Sequence, residues 1–359
     1  MVRRKVLVIQ TAFLGDLLLS VPLLKRLRSQ IPQVEIHLIC RRGFGDLLKK
    51  TDLVEQTFEI QKKDKKSYQA AIQAASRHDY ELLISPHESF TTARMVAKIK
   101  CSRKISFKKW WNFLFYNERI KKDFTLPDSL RQLSLLKNHD PDLSNKLQEW
   151  KKAEQAWTIS HAHDGGRLSP VPEWASPIIK PSLDFAEVRQ RFSVMKPFVC
   201  LFPGSVWATK QWTETGYVEL GQRLSERFQV LVMGGPGEEA LAARVASMIQ
   251  LSKNLAGHCS LEETLTILSQ AELVVTNDSA GQHLAALAGA KTVSVFGPTI
   301  LNFGFRPWNS QAIVVERLGL ACRPCGKHGP QKCPIGTHEC MKSIGASEVF
   351  QACERLLTL

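Results

Sequence analysis

Several things are scarce or missing in this 359-residue chain. No stretch approaches the about 18 uninterrupted apolar residues that a membrane-spanning helix requires, so nothing in it reads as a span. The Gly-x-Gly-x-x-Gly fingerprint is absent, and a nicotinamide or flavin enzyme loses ground accordingly. The apolar run near the N-terminus is short and no small-residue cleavage site follows it. It therefore reads as a strand, not a signal peptide, and the expected location is the cytoplasm. Of the nine cysteines, five are scattered and four, Cys322, Cys325, Cys333 and Cys340, fall close together. A disulfide framework is not expected in a reducing compartment.

Negative charge falls well short of positive charge in one half only. The net charge is +14; residues 1–180 hold 32 Lys and Arg against 19 Asp and Glu, and residues 181–359 hold 16 against 15. The excess implies an anionic partner for the first half, such as nucleic acid, a membrane surface or an acidic substrate, unless it is only a solvated basic surface.

What is present is a repeated alternation of strand, polar loop and helix. Lys5–Gln10 reads as a buried strand, Thr11–Asp16 as a turn, and Leu17–Ser29 as an amphipathic helix that Pro22 either starts or kinks. Further strands fall at Glu35–Cys40, Val54–Ile60 and Tyr80–Ser85, with helices at Phe44–Lys50, Ser67–His78 and up to Lys100. Residues 98–122 interleave lysine and arginine with Trp110, Trp111, Phe113, Phe115 and Tyr116. That composition suits single-stranded nucleic acid or an anionic membrane interface. Helical periodicity runs from Asp128 to Trp157, and the Pro- and Gly-containing stretch 160–181 reads as a linker. In the second half the strands are Phe198–Phe202, Val230–Met233, Leu273–Val275 and Thr292–Phe296. Ser260 and Glu263 make a capping box, and Ser347–Leu357 is a final helix.

The fold class expected is therefore α/β, with two domains, 1–175 and 176–345, and a terminal helix, 346–359, that packs back across their junction. Open α/β sheets bind ligands at the carboxyl ends of their strands, which is where the chemistry-bearing residues fall. Asp16, after the first strand, either caps a helix or serves as a general base. His87 and Ser89, after the fourth, line the same region or have no role. After Phe202 come Ser205 and Thr209 with hydroxyls and Lys210 with a point charge for phosphate. The stretch Thr276–Gly289 puts Asp278, Ser279, Ala280, Gly281 and His283 at a helix start, where backbone N–H groups and the helix dipole favour an anion. Asp278 and Ser279 also read as a plain N-cap, His283 as a packing residue, and Lys210 as a lysine lying on Trp207 and Trp212. The Cys322, Cys325, Cys333 and Cys340 spacing is compatible with tetrahedral zinc or with reduced, partly buried thiols.

Taken together, Leu14-Gly15-Asp16, Pro203-Gly204-Ser205 with Thr209–Trp212, Asn277-Asp278-Ser279-x-x-x-His283 and Phe296–Thr299 resemble the ADP-heptose–lipopolysaccharide heptosyltransferases. Cys322–Met341 is similar to the heptosyltransferase II branch. The resemblance implies a GT-B fold, two Rossmann-like domains facing a central cleft, with acceptor in the first and ADP-sugar in the second. It implies inverting transfer of heptose to the lipopolysaccharide inner core with no cofactor and no catalytic metal. Asp16 matches the base, and Lys210 with the Ser279–Gly281 N–H groups would stabilise the leaving ADP. Asp278 and His283 match donor contacts, Ser205 a phosphate-binding hydroxyl, and Glu238 a ribose ligand. Expected partners are ADP-heptose, a Kdo-lipid A acceptor and the inner face of the cytoplasmic membrane, with no nucleic acid. In one respect the pattern departs: many relatives have glycine where this chain has Ala280, so another nucleotide-sugar stays open. A nucleic-acid-binding protein using residues 98–122 is the rival from a different class, and it leaves the second-half motifs unexplained.

Overall fold

The computed structural model describes residues 4–160 and 166–358. Two sheets of six strands form, each entirely parallel. The first contains β1 (Lys5–Ile9), β2 (Glu35–Arg41), β3 (Gln56–Ile60), β4 (Tyr80–Ser85), β5 (Cys101–Phe107) and β6 (Glu118–Ile120), in the order β3-β2-β1-β4-β5-β6. The second contains β7 (Phe198–Phe202), β8 (Gln229–Val232), β9 (Ser252–Asn254), β10 (Leu273–Asn277), β11 (Thr292–Phe296) and β12 (Ala312–Glu316), in the order β12-β11-β10-β7-β8-β9. The central strands are mainly apolar and buried on both faces, as a parallel sheet covered by helices on either side demands. Both sheets reverse their winding at one place, between β1 and β4 and between β7 and β10. Loops leaving those strand pairs diverge, and ligand crevices open there.

The chain divides into two compact units, Met1–Ala153 with Pro172–Ser176, and Glu154–Val171 with Pro177–Leu359. The expected linker therefore contributes to both, and its residues 161–165 lie outside the described residues. Gly166 (φ +85°) is pressed against β12, where a Cβ would fall 1.9 Å from the Val314 carbonyl oxygen.

Two local expectations change. The helix expected over Leu17–Ser29 is two helices, Leu14–Leu18 and Val21–Gln30, with Pro22 in the first turn of the second. Proline is accommodated there because its missing N–H has no helical partner in any case. Residues 98–122 are not a continuous basic, aromatic face. They include β5 and β6, Tyr116 is buried in the first unit's core, and Trp111 and Phe115 pack against it. The final helix, Ala346–Leu357, buries Val349, Ala352, Cys353 and Leu356 in the core of the second unit.

Candidate active site

In the second unit, the loops after β7 and β10 meet at the winding reversal. Asn277, the last residue of β10, ties them together. Its Nδ2 donates to the carbonyls of Pro203 (2.9 Å) and Gly204 (3.2 Å), and its Oδ1 accepts from the Trp212 N–H (2.9 Å). A buried amide with both ends satisfied fixes two backbones at once. Lys210 is thereby brought to Asp278, Nζ to Oδ2 at 2.6 Å, with the side chains only 9% and 4% exposed. The Thr299 hydroxyl donates to the same oxygen (2.6 Å), and Gln282 Nε2 donates to Oδ1 (3.0 Å) and to the Phe305 carbonyl (2.9 Å). Asp278 is thus a hub with three donors, a stronger role than capping a helix.

The helix Ala280–Ala288 starts at this hub. Ser279 is its N-cap, its hydroxyl accepting from the Gly281 N–H. Gly281 is required for closeness: a Cβ would lie 2.7 Å from Thr276 Oγ1 and 2.9 Å from Phe202 Cγ. Ala280, where the resemblance fits least, is only half-buried. His283 is buried, and burial lowers its pKa to about 4, with Lys210 adding to the fall and Asp278 opposing it. The imidazole is therefore neutral at pH 7. Its Nδ1 and the Gln282 Oε1 are buried polar atoms with no hydrogen-bond partner among the described residues, an arrangement typical of functional sites.

The remaining donor-side expectations are placed as follows. Ser205 is half-buried, its hydroxyl accepting from Trp207 N at 3.3 Å. Thr209 is buried, and its hydroxyl donates to the Pro330 carbonyl. Glu238 lies against Gly204, where a Cβ would come 2.2 Å from its carboxylate, and it accepts from Gly235 N at 2.8 Å. Burial pushes the Glu238 carboxyl pKa up.

In the first unit, Asp16 sits in the first turn of Leu14–Leu18 and accepts from Phe13 N (3.1 Å). Close by are two cations. Arg41, the last residue of β2, donates to the Thr11 carbonyl (3.0 Å), and its guanidinium lies 4.4 Å over the Phe13 ring, with Lys62 Nζ at 5.2 Å. Burial lowers both pKa values and the Asp16 charge raises them. Arg41 keeps one buried nitrogen without a hydrogen bond among the described residues. His87 bonds Thr11 and Thr92 through Nδ1 (2.8 and 3.0 Å), and burial, with Lys62 and Arg41 beside it, lowers its pKa to about 4. Ser89 is the N-cap of Phe90–Lys98, accepting from Thr92 N.

Sequence reasoning missed Arg41, Lys62 and Phe13 in the first unit, and the roles of Gln282 and Thr299 in the second. Arg41 had a usable signal, a positive charge at the carboxyl end of the strand adjoining the first. The four clustered cysteines are free thiols, and no group of three or more His, Cys, Asp or Glu able to hold a metal occurs among the described residues. Nor is any described helix long and apolar enough to cross a membrane.

Two parallel, doubly wound α/β sheets carrying polar sites at their winding reversals define a GT-B type glycosyltransferase fold. Residues 68–333 match the model of glycosyltransferase family 9 (heptosyltransferase), and the chain belongs to that family. The lipooligosaccharide heptosyltransferase 2 of Campylobacter jejuni is 29% identical over 45% of this chain and 51% of its own length. The chain spans about half the length of the first curated relatives it matches. The solved structure of Escherichia coli ADP-heptose LPS heptosyltransferase II matches with a TM-score of 0.73 at 19% identity, over 99% of this chain and 98% of that one. Escherichia coli heptosyltransferase WaaC, solved with ADP-2-deoxy-2-fluoro heptose, matches at 0.69 and 18%, over 98% and 99%.

Proposed function

We propose that this chain transfers a heptose from ADP-heptose to the Kdo- or heptose-bearing inner core of lipopolysaccharide, with inversion at the anomeric carbon. The observation that carries the reading is the buried Lys210–Asp278 pair at the start of an anion-favouring helix, flanked by the Gly204–Glu238 contact. The ADP-sugar analogue named with WaaC supports the donor class. In the reaction, the acceptor hydroxyl oxygen attacks the anomeric carbon and Asp16 takes its proton. The bond from that carbon to the β-phosphate oxygen breaks, and its electron pair stays with ADP. Lys210 and the N–H groups of Ser279–Gly281 stabilise the charge that develops. Asp278 and His283 meet the donor sugar or diphosphate, Ser205 and Thr209 belong to the phosphate loop, and Glu238 takes the ribose.

On the acceptor side, Arg41 and Lys62 beside Asp16 suit the carboxylates of Kdo, with His87 as a neutral neighbour. Ser89 acts through the helix it caps. Trp110, Phe113 and Leu114, 88%, 56% and 76% exposed, suit docking on the cytoplasmic face of the inner membrane, with Lys108, Arg119 and Lys121 exposed around them. The test is to incubate the purified protein with ADP-heptose and Kdo2-lipid A, unheptosylated or carrying the first heptose, and to weigh the product. A mass gain of one heptose is expected. Transfer from a different nucleotide-sugar alone would overturn the donor assignment.

A further inference from the structure

The segment from Cys322 to Cys340 is not absorbed by the mechanism above, and its cysteines do not gather around a metal site among the described residues. Its attachments are informative. Thr209 Oγ1 donates to the Pro330 carbonyl, and His338 Nε2 bonds the Thr209 carbonyl oxygen at 2.8 Å. Gln331 donates to the Val206 carbonyl (2.9 Å) and accepts from Ala208 N (3.2 Å). On the other side, Cys325 N donates to the Pro298 carbonyl (2.8 Å) and Arg323 to the Thr299 carbonyl (2.6 Å). The segment is thus tied to the loop carrying Lys210 and to the loop carrying Thr299, a partner of Asp278.

At its middle stand Lys327 and His328, both exposed. The His328 ring lies nearly parallel to Trp207 (5.9 Å, 8°) and tilted to Phe305 (6.3 Å, 40°). Lys327 Nζ lies 5.5 Å over the Phe305 ring, and the Phe305 carbonyl is the one that Gln282 holds together with Asp278. Burial lowers the His328 pKa; Lys327 and Lys210 add to the fall, and Asp278 opposes it. One electrostatic neighbourhood therefore holds Lys210, Lys327, His328 and Asp278.

The charge balance of that neighbourhood needs a second cation. Lys210 is matched by Asp278 at 2.6 Å, so the pair is close to neutral, whereas a departing nucleoside diphosphate gains negative charge as its bond to the sugar breaks. A dianion or trianion beside a neutralised pair is poorly compensated. We infer that Lys327, held in place by His328 on Trp207 and Phe305, is a second phosphate-binding residue of the donor site. It pairs with the diphosphate of the nucleotide, a role separate from the buried Lys210. The inference rests on the reading of this chain as a nucleotide-sugar transferase.

The experiment is calorimetric titration of the full chain, wild type and the variants Lys327→Ala, Lys327→Arg and His328→Ala, with ADP, UDP, GDP and adenosine. Loss of a hydrogen bond between charged partners is expected to weaken ADP binding by about tenfold or more in Lys327→Ala. Lys327→Arg should restore most of it, and adenosine binding should not change. His328→Ala should show a smaller loss of the same kind. Because Lys327 is exposed, the thermal midpoint of Lys327→Ala should equal that of wild type, which separates binding from folding. Wild-type binding of UDP or GDP in place of ADP overturns the adenine part of the proposed function, and the variants are then compared on the nucleotide that binds. Equal affinity of wild type and Lys327→Ala for that nucleoside diphosphate overturns the inference. Failure of wild type to bind any of the three overturns both.

Discussion

Lys210 Nζ and Asp278 Oδ2 lie 2.6 Å apart in the second unit, nearly closed off from solvent, although 68 residues separate them in sequence. Two backbones make the pair possible, the β7 loop and the end of β10, both held by Asn277. A buried ion pair of this kind contributes organisation more than net stability, because desolvation offsets much of the attraction.

Removing one partner should be worse than removing both. Lys210→Met leaves a buried carboxylate with only Thr299 and Gln282 as donors, and a loss of about 3–5 kcal/mol is expected. In the double variant Lys210→Met with Asp278→Leu, much of that stability should return while transfer stays abolished. Chemical denaturation of wild type, Lys210→Met, Asp278→Leu and the double variant, with turnover measured alongside, checks this. A double variant as unstable as the sum of the single ones would contradict it.

The neighbouring glycine gives a second test. Gly281→Ala would push a methyl into Thr276 and Phe202, and overpacking there should cost about 1–3 kcal/mol. The reverse change one residue earlier, Ala280→Gly, alters a half-buried position in the first turn and should stay within about 1 kcal/mol of wild type. Thermal unfolding of both variants distinguishes a glycine needed for packing from one needed for the ligand. Equal destabilisation would remove the packing explanation for Gly281.

That pair of residues also shows what was legible before the structure. The strands Phe198–Phe202 and Thr292–Phe296 are compact apolar runs between turn signals, and both lie where the sequence puts them. The Ser260–Glu263 capping box forms as well. The strands β5 and β6 are hidden because Arg103, Lys104, Glu118 and Arg119 interrupt their apolar pattern; β6 is the edge of its sheet, and an edge tolerates charged side chains. Asp278, Lys210 and His283 come together, yet nothing in spacing tells that Gln282 would bridge Asp278 to Phe305 or that Arg41 would stack on Phe13. Such contacts depend on how distant loops are held, and linear sequence carries no signal for them.

Asp16 can be separated from the donor machinery. It lies in the first unit beside Arg41 and Lys62, and general-base removal typically costs about 10²–10⁴ in rate. Asp16→Asn should therefore lower kcat by about that factor, with ADP affinity unchanged. Because Asp16 also accepts the Phe13 N–H, the amide, which retains an acceptor oxygen, is the better variant than alanine. Wild-type turnover in Asp16→Asn would remove it as the base.

Half-buried His87 and buried His283 both contribute to the acid side of the stability curve. His87 and His283 each have a pKa near about 4 when folded, against about 6.5 unfolded. Between those values the unfolded chain binds more protons, so stability is fully present above about pH 6.5 and falls as the pH drops toward 4. Each imidazole accounts for roughly 3 kcal/mol at most. Thermal midpoints from pH 4 to 8 should show this limb, and His283→Gln should make it shallower. An unchanged slope would assign the acid sensitivity elsewhere.

The last expectation concerns the exposed apolar tip of the first unit. Trp110, Phe113 and Leu114 project from the segment between β5 and β6, while Trp111 and Phe115 of the same segment pack inward. A short segment with one buried and one exposed apolar side fits an interface that is apolar beyond and anionic at its surface. Replacing the three tip residues with serine should leave the fold intact, since none contributes to the core. Each fully buried apolar side chain contributes about 1.5–3 kcal/mol, so cosedimentation with phosphatidylglycerol-containing vesicles should weaken by at least about tenfold. Transfer to a detergent-dispersed acceptor should be unchanged in the same variant. Binding to neutral phosphatidylcholine vesicles should be weak for both proteins, because Lys108, Arg119 and Lys121 then meet no opposite charge. Equal binding of the variant and wild type to the anionic vesicles would show that the tip serves something other than a membrane.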